Sequence, residues 1–263
     1  MPRFAANLGM LFTELPFEQR FAAAARNGFT AVELLFPYDH APRDIAKWLE
    51  DNGLQNRGLN LWPGDFAMGE RGLASLPGRE REFRDAVLRA LEYAEATRTP
   101  TLHAMCGIVP ADGDRAVHRR VYIDNLRFAA RELSKNGRTV LIEPINPRDI
   151  PGYFLNTQAD AHAIVEEVDE PNLKVQMDFY HAQIVEGDLA TKFKKYFDNI
   201  GHVQIAGVPE RQEPDEGEVN YRHLLQLLDA MNYTGWVGCE YRPRRTTEEG
   251  LGWMQRLTGT AVQ

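Results

Sequence analysis

The fold is decided by LKVQMDF, residues 173–179. Side chains alternate sides along a β-strand. Val175, Met177 and Phe179 therefore form one apolar face, opposite Gln176, Asp178 and the following Tyr180. The apolar face suits a layer of helices, and the other face carries a carboxylate near the C-terminal end. Three more runs divide in the same way. Val140–Asn146 sets Val140, Ile142 and Pro144 against Leu141, Glu143 and Ile145. His202–Val208 sets Val203 and Ile205 against His202, Gln204 and Ala206. Trp236–Tyr241 sets Val237, Cys239 and Tyr241 against Trp236, Gly238 and Glu240.

Working outward, short apolar runs at Phe4–Leu8, Ala31–Phe36, Gly58–Trp62 and Thr101–Cys106 read as four earlier strands. Amphipathic stretches separate the runs: Pro16–Asn27, Pro42–Asn52, Arg79–Arg98, Arg115–Asn136, Thr157–Val168, Asp188–Phe197, Asn220–Met231 and Thr247–Leu257. Strict alternation of strand and helix predicts parallel strands with helical crossovers. Eight such units in 263 residues give about 33 residues per unit, the spacing of an α/β (β/α)₈ TIM barrel. A doubly wound sheet is the rival. It usually carries a glycine-rich phosphate loop after its first strand, and Asn7-Leu8-Gly9-Met10 is not one. No linker or low-complexity segment divides the chain, so residues 1–263 read as a single barrel domain.

Composition narrows the function. Acidic side chains number 38 and basic ones 30, a net charge of −8. Binding a nucleic-acid backbone needs a basic face, so that class is disfavoured. No apolar run reaches the roughly 18 residues that span a bilayer. The apolar stretch before Glu14 is too short for a secretory signal. Cys106 and Cys239 form neither a disulfide framework nor a zinc site, which makes a reducing cytoplasm the expected compartment. The oligomeric state stays open, a homo-oligomer included.

Barrel enzymes place their chemistry at the C-terminal ends of the strands. Glu143, Asp178, Gln204 and Glu240 hold equivalent positions on four successive strands and are expected to converge on the axis. Buried carboxylates need a partner or a metal, and three together repel one another. A divalent cation resolves that conflict. An all-oxygen set, with Gln204 offering its amide carbonyl, suits Mg²⁺ or Mn²⁺ better than Zn²⁺. The bland alternative is a set of surface residues at strand ends, capping helices or making ion pairs. His181 and Arg211 are candidate substrate contacts, with a structural histidine and a solvated loop arginine as their ordinary readings. Glu33 and Asn7 are expected to face inward, Trp62 and Phe66 to wall a pocket, and Cys106 to sit in the core.

At these residues the chain resembles the hydroxypyruvate isomerase family of the xylose-isomerase-like superfamily. The resemblance covers essentially the whole length, through FAANLGMLF, VELLFPYD, PGREREFRD, IEPINPRDIPGYFL, NLKVQMDFYHAQ, IGHVQIA, EPDEGEVNY, GWVGCEYRP and TTEEGLGWM. It implies a TIM barrel with a divalent metal, Glu143 and Glu240 as the catalytic pair, and Asp178 and Gln204 completing the metal shell. Many ketose epimerases of the superfamily have a histidine where Gln204 stands. The implied reaction converts hydroxypyruvate, a small anionic 2-oxo acid, to tartronate semialdehyde through an enediolate. The sister 2-oxo-tetronate isomerases share much of the sequence, although IEPINPRDIPGYFL looks more like hydroxypyruvate isomerase. Epimerases use the same chemistry. An endonuclease-IV-like barrel would need clustered histidines around zinc and a basic surface. A non-catalytic metal-binding or interaction protein would be expected to lack one of the two glutamates.

Overall fold

The computed structural model describes residues 2–259. Eight parallel strands close into one barrel in chain order: β1 (Arg3–Asn7), β2 (Ala31–Leu34), β3 (Gln55–Asn60), β4 (Thr101–His103), β5 (Thr139–Ile142), β6 (Leu173–Asp178), β7 (Ile200–Ile205) and β8 (Trp236–Cys239). Closure comes from β1 against β8, with Phe4 beside Val237 and Ala6 beside Cys239. An open doubly wound sheet is thereby excluded.

The crossovers are α1 (Phe17–Arg26), α2 (Pro42–Asp51), α3 (Glu80–Ala96), α4 (Arg115–Ser134), α5 (Gln158–Val168), α6 (Phe179–Val185), α7 (Leu189–Tyr196) and α8 (Tyr221–Ala230), followed by α9 (Thr247–Gly250) and α10 (Trp253–Thr258). The outward faces of the late strands are fully buried under them, as at Val175, Met177, Val203, Val237 and Cys239. Among the described residues no helix is long and apolar enough to cross a membrane.

Three differences from the expected elements stand out. The final helical stretch divides at Leu251–Gly252 into α9 and α10. More important, α6 begins directly after Asp178, where the sequence suggests a strand running on to Phe179. Asp178 is itself the cap: its Oδ1 accepts from the Tyr180 N–H at 2.8 Å, satisfying a free donor of the first helical turn. The strands also end early. β5 stops at Ile142 and β8 at Cys239, so Glu143 and Glu240 are the first residues beyond their ladders.

The loop after β3 forms one wall above the barrel. Gly72 bridges to Cys106, and its N–H donates to the Pro63 carbonyl at 2.9 Å. Its φ is +115°, and a Cβ there would collide with the Met105 carbonyl. Only glycine tolerates both conditions. Gly72→Ala is therefore expected to cost on the order of 1–3 kcal/mol. Urea unfolding monitored by circular dichroism measures it, and an unchanged midpoint would show that the loop is not anchored at Gly72.

Candidate active site

A cavity of about 820 Å³ opens at the C-terminal end of the barrel. Leu35, Phe36, Phe66 and Met105 supply apolar wall, and His103, Glu143, His181, Arg211 and Glu240 supply polar groups. Phe66 packs on Phe36 with ring centroids 5.2 Å apart, and the Arg71 guanidinium lies 3.7 Å from the Phe66 ring centroid.

Glu143, His181 and Glu240 of this cavity and the wholly buried Asp178 behind them each present a ligand atom, all within 4.8 Å of one another. All four are buried. Asp178 uses Oδ1 to cap α6, which leaves Oδ2 buried without a hydrogen-bond partner. Glu143 Oε1 is likewise buried and unpartnered. Burial disfavours the charged form of such groups, and neighbouring carboxylates add to the effect. Burial, then Glu240 and Asp178, push Glu143 well above the usual carboxylate range. Asp178 is pushed up to about 7 by burial, against the attraction of Arg211. Burial raises Glu240 too, again opposed by Arg211.

Arg211 is no solvated loop residue. Its side chain is only 15% exposed, with Nη2 2.6 Å from Glu240 Oε2 and 3.8 Å from Asp178 Oδ2, and Nη1 3.1 Å from Asp149 Oδ2. Burial works against its charge, but Glu240, Asp178, Asp149 and Glu143 together hold it protonated more firmly than usual. Its φ of +56° is uncommon for a residue with a side chain. The loop fixes that conformation: the Arg211 N–H donates to the Gly207 carbonyl at 2.8 Å, and its carbonyl accepts from Arg242 N–H at 2.7 Å.

His181 is buried and oriented by a chain of hydrogen bonds. The Asp149 N–H donates to Asn146 Oδ1 at 2.9 Å, so the Asn146 amide nitrogen faces His181 Nδ1, 2.6 Å away. Nδ1 then accepts, and Nε2 carries the proton, 3.6 Å from Asp178 Oδ2. Burial, then Arg211 and His103, push His181 well below its ordinary value, so the ring is neutral. His103, pushed down to about 3 by burial and His202, stands 3.6 Å from Glu143.

The residues singled out in the sequence thus fall into two groups. Glu143, Asp178, Glu240, His181 and Arg211 meet at one place. Gln204 lines a small space in the barrel with Asn7, Glu33, Gln176 and His202. Its Nε2 donates to Glu33 Oε2 and its Oε1 accepts from Gln176 Nε2, both at 2.8 Å, leaving one oxygen lone pair uncommitted. Asn146 and Asp149 were missed by the strand periodicity because both lie in the irregular loop beyond Glu143. Their placement within the IEPINPRD segment was the available signal.

A closed barrel with a buried carboxylate cluster where strands five, six and eight end defines a TIM-barrel enzyme. The chain belongs to the xylose isomerase-like TIM barrel family, whose model matches residues 21–257, and stands in its isomerase branch. It is 57% identical to the 2-oxo-tetronate isomerase of Cupriavidus necator, covering 98% of this chain and all of that protein. It is 45% identical to the hydroxypyruvate isomerase of Escherichia coli, covering 97% and 98%. A Brucella melitensis crystal structure described as an AP endonuclease of family 2 superposes with a TM-score of 0.95 at 51% identity, over 97% of this chain and 99% of that one.

The electrostatics predict a pH dependence. A carboxyl whose folded value lies above its unfolded one binds its proton more tightly in the folded state. Stability then falls as pH rises between the two values. For Asp178 the window runs from the ordinary carboxylate range to about 7. In a chelating buffer, Asp178→Asn should melt at or above the wild type at pH 8, and this advantage should shrink at pH 5. Equal destabilisation at both pH values would show that Asp178 carries no such strain.

Proposed function

We propose that this chain is a divalent-metal-dependent isomerase that moves a carbonyl between C2 and C3 of a small, anionic 2-oxo acid. The observation that carries this reading is the buried cluster of three carboxylates with two oxygens that no hydrogen bond satisfies. Those groups fit a hard cation such as Mg²⁺ or Mn²⁺. Glu143, Asp178 and Glu240 hold it, and Gln204 offers its remaining lone pair as the fourth donor. His181 turns an N–H toward the cluster, which suits a substrate oxygen rather than a cation.

When bound, the cation supplies the positive charge that makes a proton beside the substrate carbonyl removable near neutral pH. One glutamate takes the proton from C3, and the other delivers one to C2. The hydroxyl proton crosses from the C3 oxygen to the C2 oxygen, so the product is the isomeric carbonyl acid. The reaction runs both ways, and each glutamate is base in one direction and acid in the other. Arg211 and the His181 N–H bind the substrate carboxylate. Two acids satisfy this chemistry. The 57% relative favours 2-oxo-tetronate, while the 45% relative and the IEPINPRDIPGYFL segment favour hydroxypyruvate and its product tartronate semialdehyde. A ketose epimerase would share the enediolate but take a neutral sugar.

An AP endonuclease activity, the one named for the Brucella structure, has less support. Zinc prefers nitrogen and sulfur donors, whereas this cluster has one histidine among three carboxylates. A net charge of −8 also opposes a phosphate backbone. Two buried free thiols, Cys106 and Cys239, are compatible with a reducing cytoplasm, the compartment we propose.

Chelated protein resupplied with Mn²⁺ or Mg²⁺ should turn over 2-oxo-tetronate or hydroxypyruvate far faster than fructose or tagatose, and the ratio of the two acids decides between them. Preference for a neutral ketose would move the chain to the epimerases. Glu143→Gln and Glu240→Gln should each lose at least about a hundredfold in kcat, the usual scale of acid–base catalysis. Near-normal turnover in a metal-loaded variant would remove that glutamate from the mechanism. Arg211→Ala should lower turnover of the acid far more than any activity on neutral sugars, and an unchanged ratio would exclude it from carboxylate binding.

A further inference from the structure

Beneath the carboxylate cluster lies a second, fully buried polar group that the proposed reaction does not use. Glu33, at 4% exposure, sits on β2, and His202, at 6%, sits on β7. Glu33 Oε1 is 2.5 Å from His202 Nε2. To meet it, the Glu33 side chain crosses in front of β8, through the space left by Gly238, where a Cβ would collide with both carboxylate oxygens. Close approach of this kind needs glycine.

Stability alone does not explain the arrangement. Buried charged or polar pairs are often replaceable by apolar residues at little or no cost in stability. What distinguishes this pair is where its hydrogen bonds lead. Glu33 Oε2 accepts from Gln204 Nε2 at 2.8 Å and from Asn7 Nδ2 at 3.5 Å. Asn7 Nδ2 also donates to Glu240 Oε1 at 3.1 Å, and Asn7 Oδ1 accepts from the Gly9 N–H at 3.0 Å, which prevents the amide from turning round. Gln204 is bound by the same logic. With its nitrogen on Glu33, its oxygen must face the other way, toward Gln176, whose amide lies on the Glu143 side.

We infer that Glu33, seated by His202 and Gly238, is a positioning residue: it fixes which end of the Gln204 amide faces the cation site and, through Asn7, the orientation of Glu240. The inference rests on the metal-isomerase reading above. A carboxylate is required because three N–H-bearing groups converge on it and it presents acceptors only. An amide in its place would turn an NH₂ toward one of them. Partners of this kind typically contribute ten- to a hundredfold in metal affinity or activity.

The test measures Mn²⁺ affinity by titration, together with kcat, KM and the metal-free melting temperature, for the wild type, Glu33→Gln and Gly238→Ala. Glu33→Gln should bind Mn²⁺ about 10- to 100-fold more weakly and lose kcat on the same scale, with KM less affected and the metal-free protein folded. Gly238→Ala removes no polar group but displaces the Glu33 carboxylate, so it should move both quantities in the same direction. It also decides the matter if Glu33→Gln fails to fold. Wild-type Mn²⁺ affinity and kcat in a folded Gly238→Ala or Glu33→Gln protein would overturn the inference and leave the isomerase reading intact. A wild type that binds no Mn²⁺ would overturn both, and that result is read before any variant is made.

Discussion

Three carboxylates brought out of water at one end of a barrel repel one another, and most of the upper half of this molecule answers that repulsion. Burial removes the solvent that would stabilise their charge, and raises the proton affinity of Glu143, Asp178 and Glu240 together. Arg211 supplies the nearest fixed positive charge, within ion-pair distance of Glu240 and Asp178. One oxygen of Asp178 is further settled by the first turn of α6, and one of Glu240 by Asn7. The two oxygens that no hydrogen bond satisfies, Glu143 Oε1 and Asp178 Oδ2, mark where the compensation is incomplete.

The scaffold divides the work between strands and loops. The strands deliver the carboxylates to one end of the barrel, Asp178 as the last residue of β6 and Glu143 and Glu240 as the first residues after β5 and β8. The loops bring charge and direction. Arg211 is locked in a left-handed conformation between the segments after β7 and β8, and Asn146 and Asp149 turn the His181 ring from the segment after β5. Precision here comes from hydrogen bonds that leave each side chain a single orientation. A site built only on packing would tolerate rotation of an amide or an imidazole.

Much of this was legible from alternation alone. Period-two patterning in VLIEPIN, LKVQMDF, HVQIA and WVGCEY assigns each side chain to a face, and the strand–helix count matches the closed barrel observed. That is enough to predict inward-facing polar residues on β5 to β8, because the pleat leaves no other choice. It was not enough to show that Gln204 is held between Glu33 and Gln176, since periodicity reports the face and not the hydrogen-bond partner. Nor did it show α6, because Phe179 continues the apolar face of Val175 and Met177 and so reads as the last residue of the strand.

What the sequence by itself determined is therefore the barrel, the helix-facing core and the identity of the groups available for chemistry. Those follow from local pattern and composition. Only the tertiary structure decided that Arg211 is buried among carboxylates, that Asp149 and Asn146 orient the site, and that Glu33 reaches across Gly238 to His202. Each of these joins residues far apart in the chain, and two of them depend on loop conformations with no repeating pattern. Such contacts are selected by closure of the barrel, which brings β2 and β7 to opposite flanks of the β1–β8 seam, where Glu33 meets His202 and Gln204 across it.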